Sequence, residues 1–465
     1  TNAGTITGFI QLIKNDDTET TLIQAADTVY QWDGASTFTS KGTVNSASRL
    51  RGVTWELGGY AVIVDTAKQT VVKKWDGTSL TTLTTGLTPA TLYAKYAVVH
   101  LGRVWLFNVT TTSNTPHLCV ASAFEDPESY SVANRAQGSG VTANQAFFML
   151  TPDLKPINGV TLFYNTLIIS TETGRLWRLS GTNATNFQWD PFYAGSSAIG
   201  TETMANIGDD VVYMKRDGVI ESLRSTETFG DTKTDDISRW IVNTVDGLIS
   251  CITVYDQTRQ KVYFFSGSNK LLVYFKEVDE LSPWSVYKTN HAGSFDTAAA
   301  IYMRRPAGSN YFVYWGDSSG RIFQMDGTSD GDSGSTAIDT YRKSPLFGKF
   351  EDEHGNVKDP FDGRIRGRIY YRRIADINLL LDFEWADDYA INRCTVPLKG
   401  PGVGDSGSYF GGSGYFGGVF YFNAGFALSQ RTSTKGFSPV GRGPGFYISS
   451  TVQSTQQFDI MKYEF

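Results

Sequence analysis

The chain has 465 residues, 47 of them glycine and 14 proline, with 14% aromatic and 19% charged residues and a formal net charge of −6. Such a composition is too aromatic and too low in charge for a disordered polymer. No apolar run reaches the roughly 18–20 residues of a membrane-spanning helix, and a net acidic chain does not grip nucleic acid over its whole surface. Cys119, Cys251 and Cys394 are too few and too far apart for a disulfide framework or a CxxC zinc site. Three free, mostly buried thiols in a chain made in a reducing cytoplasm are expected. The visible N-terminus lacks the basic, apolar and small-residue pattern of a secretory leader, so the sequons at Asn108 and Asn183 carry little weight.

In chain order, Thr5-Ile-Thr-Gly-Phe-Ile-Gln-Leu-Ile13 reads as a strand. Residues 1–19 are expected to stand outside the repeated region and to pair with a C-terminal platform. Residues 20–330 then repeat short strands separated by turn chemistry. Val29-Tyr-Gln-Trp32 runs into Asp33-Gly34, and Val71-Val-Lys-Lys-Trp75 into Asp76-Gly77, 43 residues later. Gly174 and Gly218 are 44 residues apart. A period near 40–45 residues with several strands per unit is the signature of a β-propeller, here of about six or seven blades. The interval from Val104-Trp-Leu-Phe107 to Leu176-Trp177 is too long for one unit, and residues 121–157 read as an insertion. One helix is expected, over Thr234–Ile249, from Ile237, Ile241 and Val245 recurring every four residues behind an Asp cap.

Composition shifts after residue 330, and residues 331–465 read as a β-sandwich-like platform domain. The fold class is therefore all-β, an irregular propeller plus that platform. Gly363–Arg373 reads as one strand that sets Arg364, Arg366, Arg368 and Arg372 on a common face. Four like charges in a row call for an anionic counterpart, whether DNA, a partner's acidic patch or the domain's own Asp382 and Glu384. The stretch 406–420 repeats Tyr-Phe-Gly-Gly and carries Tyr409, Phe410, Tyr415 and Phe416. It reads either as a loop packed on a neighbouring subunit or narrowing a channel, or as a hairpin tip covering its own domain.

Catalytic chemistry has little to stand on. His100, His117, His291 and His354 lack metal-clamping spacing, and no G-x-S-x-G elbow is present. The glycine-rich strings 400–404 and 441–445 lack the strand-loop-helix setting of a phosphate cradle. Asp330-Gly-Asp332 lacks the later acidic ligands of a calcium loop. No catalytic residue, cofactor or metal is expected.

A resemblance adds to this reading. Leu101-Gly-Arg-Val-Trp-Leu-Phe107, followed after a loop by Cys119-Val-Ala-Ser-Ala-Phe-Glu-Asp-Pro-Glu-Ser-Tyr130, resembles a blade of phage virion propeller proteins. Pro156–Gly159 with Leu167–Ser170, Asp235–Arg239, Asn269–Tyr274 with Pro283–Tyr287, and Gly441–Ile448 with Phe458–Ile460 are similar in the same order. The family resembled is the tail nozzle, or tail tubular, protein of short-tailed phages. The resemblance implies a structural virion protein assembled in the host cytoplasm into a ring, usually of six copies, below the portal and adaptor. It also implies a channel that retains and ejects genomic double-stranded DNA with weak contact, and a flank where tail fibres or spikes attach. The opening of that family ahead of the first blade is not matched. Two other readings remain: a virion propeller that binds a host-surface carbohydrate or receptor, and a propeller glycosidase or lyase.

Overall fold

The computed structural model describes residues 4–325, except 87–90, 112, 131–140, 196, 216, 226–231, 239–240, 242–244, 246–250, 267–269, 277–283, 289–296 and 307; Trp284–Lys288 is described, and beyond residue 325 so are ten strands between Gly331 and Glu464. Two compact units divide it: residues 1–277 with 293–325, and residues 278–292 with 326–465.

Seven antiparallel blades make the first unit a β-propeller. Blades 1 to 5 have four strands each, over residues 6–43, 50–82, 93–150, 157–194 and 204–236. Blade 6 is built on Ile252–Asp256, Lys261–Phe265 and Lys270–Phe275; blade 7 on Thr297–Arg304, Tyr311–Asp317 and Ile322–Gln324. The first strands of successive blades stand side by side around the axis. Ile6–Ile13 of blade 1 meets Thr297–Arg304 of blade 7 and closes the ring.

Strand alternation explains why the inner strands carry apolar residues at successive positions, as in Val104–Phe107. In Arg103–Thr110, Val104 and Leu106 enter the core shared with blade 2, whereas Trp105 and Phe107 enter the core shared with blade 4. A strand buried on both faces keeps no polar side. Each large side chain so buried contributes roughly 1.5–3 kcal/mol, and the ring is a stack of such two-sided cores.

The same logic corrects the expected start of the propeller. Ile6–Ile13 is the first strand of blade 1, hydrogen-bonded to Glu19–Ala25, so a boundary at residue 20 would cut a hairpin. Ile10 and Leu12 pack toward blade 2, while Ile6 and Phe9 pack toward blade 7. Two apolar faces require a neighbour on each side.

The repeat positions read from sequence are equivalent in space. Trp32 and Trp75 each end the third strand of their blade. Asp33 Oδ1 accepts the amides of Ala35 at 2.8 Å and Thr37 at 3.1 Å, and Asp76 Oδ1 those of Thr78 at 2.8 Å and Ser79 at 2.7 Å. The glycine that follows each aspartate has φ of 83° or 94°, which suits a residue without Cβ. Lys261–Phe265, which reads as the opening of a unit, is the second strand of blade 6, after Ile252–Asp256.

The segment read as an insertion lies within blade 3, as an excursion between its third and fourth strands that ends when Phe147–Leu150 pairs with Asn114–Ala121; its residues 131–140 lie outside the described residues. One further expectation changes. The start of the expected helix is a strand instead. Thr234, Asp235 and Asp236 belong to the outer strand Thr232–Asp236 of blade 5, paired with Ile220–Ser225. The Val245 amide donates to the Ile241 carbonyl at 3.0 Å, one helical turn among the described residues of that stretch. An edge-strand ladder supplied the hydrogen bonds that the first helical turn would have left unmade.

The second unit is also all-β. A five-stranded sheet runs in the order Gly331–Asp332, Thr336–Lys343, Phe446–Ser454, Ile377–Trp385, Ile391–Leu398. A three-stranded sheet runs Ser433–Phe437, Gly367–Arg373, Phe458–Glu464, and Phe361–Arg364 pairs with Val440–Gly443.

Candidate functional site

The arginine-rich segment is two strands, Phe361–Arg364 and Gly367–Arg373, in separate sheets. Arg364 stands opposite Val440 in one strand pair, and Gly367 opposite Phe437 in another; Arg368 and Arg372, four residues apart in Gly367–Arg373, share one face of that strand. Arg366 lies outside the described residues. The acids at opposed register positions are not the expected pair. Arg368 faces Glu464 and Arg372 faces Asp459, whereas Asp382 and Glu384 belong to the five-stranded sheet, opposite Arg393 and Ile391. Tyr409, Phe410, Tyr415 and Phe416 lie outside the described residues.

Isolated reactive groups are held inert by burial. His100 is buried, and burial alone lowers its pKa, which favours the neutral imidazole. Burial pushes the Cys119 and Cys251 thiols up to about 12, far from the thiolate that nucleophilic chemistry needs. His291 and His354 lie outside the described residues. Among the described residues no three His, Cys, Asp or Glu come together as a metal site requires.

The charged groups that do converge lie on the propeller axis. Arg51, on the first strand of blade 2, sends Nη1 to the carbonyls of Thr7 and Leu50, both at 2.8 Å, and Nη2 to the Ala298 carbonyl at 3.5 Å. Its guanidinium pairs with Glu202, in the turn that leads into blade 5. Blades 1, 2, 5 and 7 are thereby tied by one side chain. Lys95 of blade 3 is half-buried nearby. Burial lowers its pKa, against the smaller raising effects of Glu202 and Glu172.

Arg103 has a different task. It is 1% exposed, and its guanidinium donates to the carbonyls of Ser122 at 2.5 Å, Gln145 at 2.9 Å and Ala143 at 2.6 Å. Phe147 covers it at 5.4 Å. Around it, the Glu125 amide donates to the Gly102 carbonyl at 2.8 Å, and the Tyr130 amide donates to the Thr85 carbonyl of blade 2 at 2.8 Å. Tyr130 is fully buried. The two separated halves of the motif, Leu101–Phe107 and Cys119–Tyr130, are thus one staple that clamps the blade 3 excursion. The resemblance set the halves side by side; that Arg103 is their buried centre was not read from sequence, although an arginine inside an apolar strand was the available signal. Arg51 and Glu202 left no signal, because nothing in sequence relates blade 2 to blade 5.

No family model matches the chain, and no curated protein sequence matches it. Solved structures do resemble the fold. Virginiamycin B lyase from Staphylococcus aureus is 9% identical with a TM-score of 0.45, over 70% of this chain and 95% of that one. Sqt1 from Saccharomyces cerevisiae is 8% identical with a TM-score of 0.44, over 70% and 97%. YCF48 from Cyanidioschyzon merolae is 10% identical with a TM-score of 0.41, over 70% and 95%. Such distant likenesses concern the propeller alone and bring no activity to this chain. Among the described residues no helix is long and apolar enough to cross a membrane.

Proposed function

We propose that the chain is a non-enzymatic structural subunit of a short-tailed phage tail, a nozzle-type protein that associates around a common axis into a ring of six. The observation that carries this reading is the blade 3 staple. The residues through which the sequence resembles the nozzle family, Arg103, Ser122, Asp126, Pro127 and Tyr130, are joined in one architectural unit. In this reading they build a body rather than a reaction centre.

Two physical points accord with it. Arg51 of blade 2 pairs with Glu202 at blade 5, and in this reading DNA travels along the common axis between copies. A channel for sliding DNA also has to avoid tight phosphate binding, since every Lys or Arg contact adds affinity by counterion release. A net charge of −6 suits a weakly interacting wall. Portal, adaptor and fibre proteins are the partners that this reading supplies.

Native mass spectrometry with electron microscopy of the purified chain tests it. A six-fold ring with an axial opening is the expected result, and a monomer or a trimer would overturn it. Turnover on a polysaccharide panel, abolished by one carboxylate substitution, would replace it with the enzyme reading.

A further inference from the structure

At the seam where blade 7 meets blade 1, a cavity of about 390 Å³ opens between two turns. One wall is the Asp33–Ala35 turn of blade 1; the other is the Arg305–Asn310 hairpin of blade 7. Its volume lies within the roughly 300–1,000 Å³ of small-molecule clefts.

The walls are fixed before anything binds. Asp33 Oδ1 is held by the amides of Ala35 and Thr37, and the Ala35 carbonyl accepts Trp32 Nε1 at 3.2 Å. Opposite, the Arg305 amide donates to the Asn310 carbonyl at 2.8 Å, and the Gly308 amide to the Arg305 carbonyl at 2.9 Å. At the base the two turns touch, for a Cβ on Gly34 would stand 2.6 Å from the Pro306 carbonyl oxygen. A preformed wall spares a ligand the entropy of ordering it.

The chemistry of the walls is mixed. Asp33 is exposed, and its amide hydrogen bonds hold its carboxyl below the usual carboxylate range, so it is a charged acceptor at neutral pH. Arg305 is exposed, and its guanidinium has no ion pair or hydrogen bond among the described residues. The side chains of Ser309 and Asn310 add donors and acceptors. One residue beyond Thr37, the ring of Phe38 is 40% exposed and stacked on Trp32 at 6.4 Å.

We propose that this cleft is a binding site for a neutral saccharide. An anion entering it meets the Asp33 carboxylate, and a cation meets Arg305. A polyol satisfies both, because each hydroxyl donates and accepts. Adjacent hydroxyls of a sugar ring match the fork of a guanidinium, and one of them can donate to Asp33 Oδ2, the oxygen that the turn amides do not use.

The site goes beyond the structural role proposed above, and it is tested on the isolated chain whatever ring the chain forms. The probes are D-glucose, D-galactose, D-mannose, N-acetyl-D-glucosamine, maltose, lactose and chitobiose, followed by saturation-transfer NMR and titration calorimetry. At least one is expected to bind, and binding is expected to weaken at least tenfold in Asp33→Asn and in Arg305→Ala. Asp33→Asn keeps the Oδ1 acceptor of the turn and Arg305 is at the surface, so both variants should melt with the parent. Silence from every saccharide, or binding that neither substitution weakens, overturns the proposal. Binding of acetate or ammonium in place of the saccharides overturns it equally.

Discussion

Gln11 and Arg304 exchange two hydrogen bonds across the closure of the ring: Gln11 Nε2 donates to the Arg304 carbonyl at 2.7 Å, and the Arg304 amide donates to Gln11 Oε1 at 3.0 Å. A side-chain amide thus imitates a strand at the one junction that no short linker joins. The Arg304 guanidinium extends the clasp, with Nη1 on Asp17 Oδ1 at 2.6 Å and Nε on the Gly308 carbonyl at 2.7 Å.

Removing that clasp should loosen the ring at its seam. Gln11→Ala leaves a backbone amide and carbonyl of Arg304 without these partners, a loss of about 1–3 kcal/mol. Urea unfolding should report it. Amide exchange should accelerate first in Thr297–Arg304 and Ile6–Ile13, and uniform acceleration across all blades would contradict a seam-specific role.

Close approach at the same junction gives a second prediction. Gly316 of blade 7 lies against Ile6 of blade 1, where an added Cβ would overlap the isoleucine side chain. Gly316→Ala should therefore cost about 1–3 kcal/mol through overpacking. Gly316→Ala combined with Ile6→Gly, which removes the overlapping Cβ and both Cγ atoms, should cost less than the sum of the two single losses in the same assay, because the pair is in contact and their effects do not add.

Arg103 should be the most sensitive residue of blade 3. Arg103→Ala removes donors from three carbonyls and opens a hole beneath Phe147, and a loss of about 3–5 kcal/mol is expected. Arg103→Lys keeps the charge but not the planar fork and should fall between the two. Chemical denaturation measures both. Equal stability of all three proteins would show that the excursion holds itself.

Arg51 and Glu202 should be energetically coupled. Each side chain is 24% exposed, so the pair is shielded enough for a double-mutant cycle of Arg51→Ala and Glu202→Ala to give about 0.5–3 kcal/mol of interaction. A value within error of zero would mark the contact as incidental.

Alkaline pH should destabilise the native state. Burial pushes Cys119, Cys251 and Tyr314 up to about 12, while in the unfolded chain a thiol titrates near 8.5 and a tyrosine near 10. Above those values the unfolded chain has given up protons that the native state keeps. Stability therefore falls from roughly pH 8.5 toward 12, by up to about 1.4 kcal/mol per pH unit for each group. Urea midpoints from pH 7 to 10.5 check the slope. Peptide mapping after alkylation should find Cys119 and Cys251 unmodified until the chain is unfolded.

The propeller was legible because its cause is local. Trp32-Asp-Gly34 and Trp75-Asp-Gly77 specify their own turns through Asp side chains bonding nearby amides, and the two-sided apolar strands repeat at a fixed interval. The first strand was misplaced since its role depends on two partners, blade 2 next to it in sequence and blade 7 at the far end of the ring. The helix expected over Thr234–Ile249 failed at its start for a similar reason: apolar spacing was read there, but Ile220–Ser225 offered Thr234–Asp236 a ladder.

Sequence alone determined the all-β class, the repeat and the turns, all of which arise from interactions between residues a few positions apart. Only the tertiary structure decided that there are seven blades, that Gln11 clasps Arg304, that Arg51 meets Glu202, and that Asp33 and Arg305 face each other across a cleft. Closing a ring brings together residues far apart in the chain, and no spacing along the sequence encodes which of them will meet.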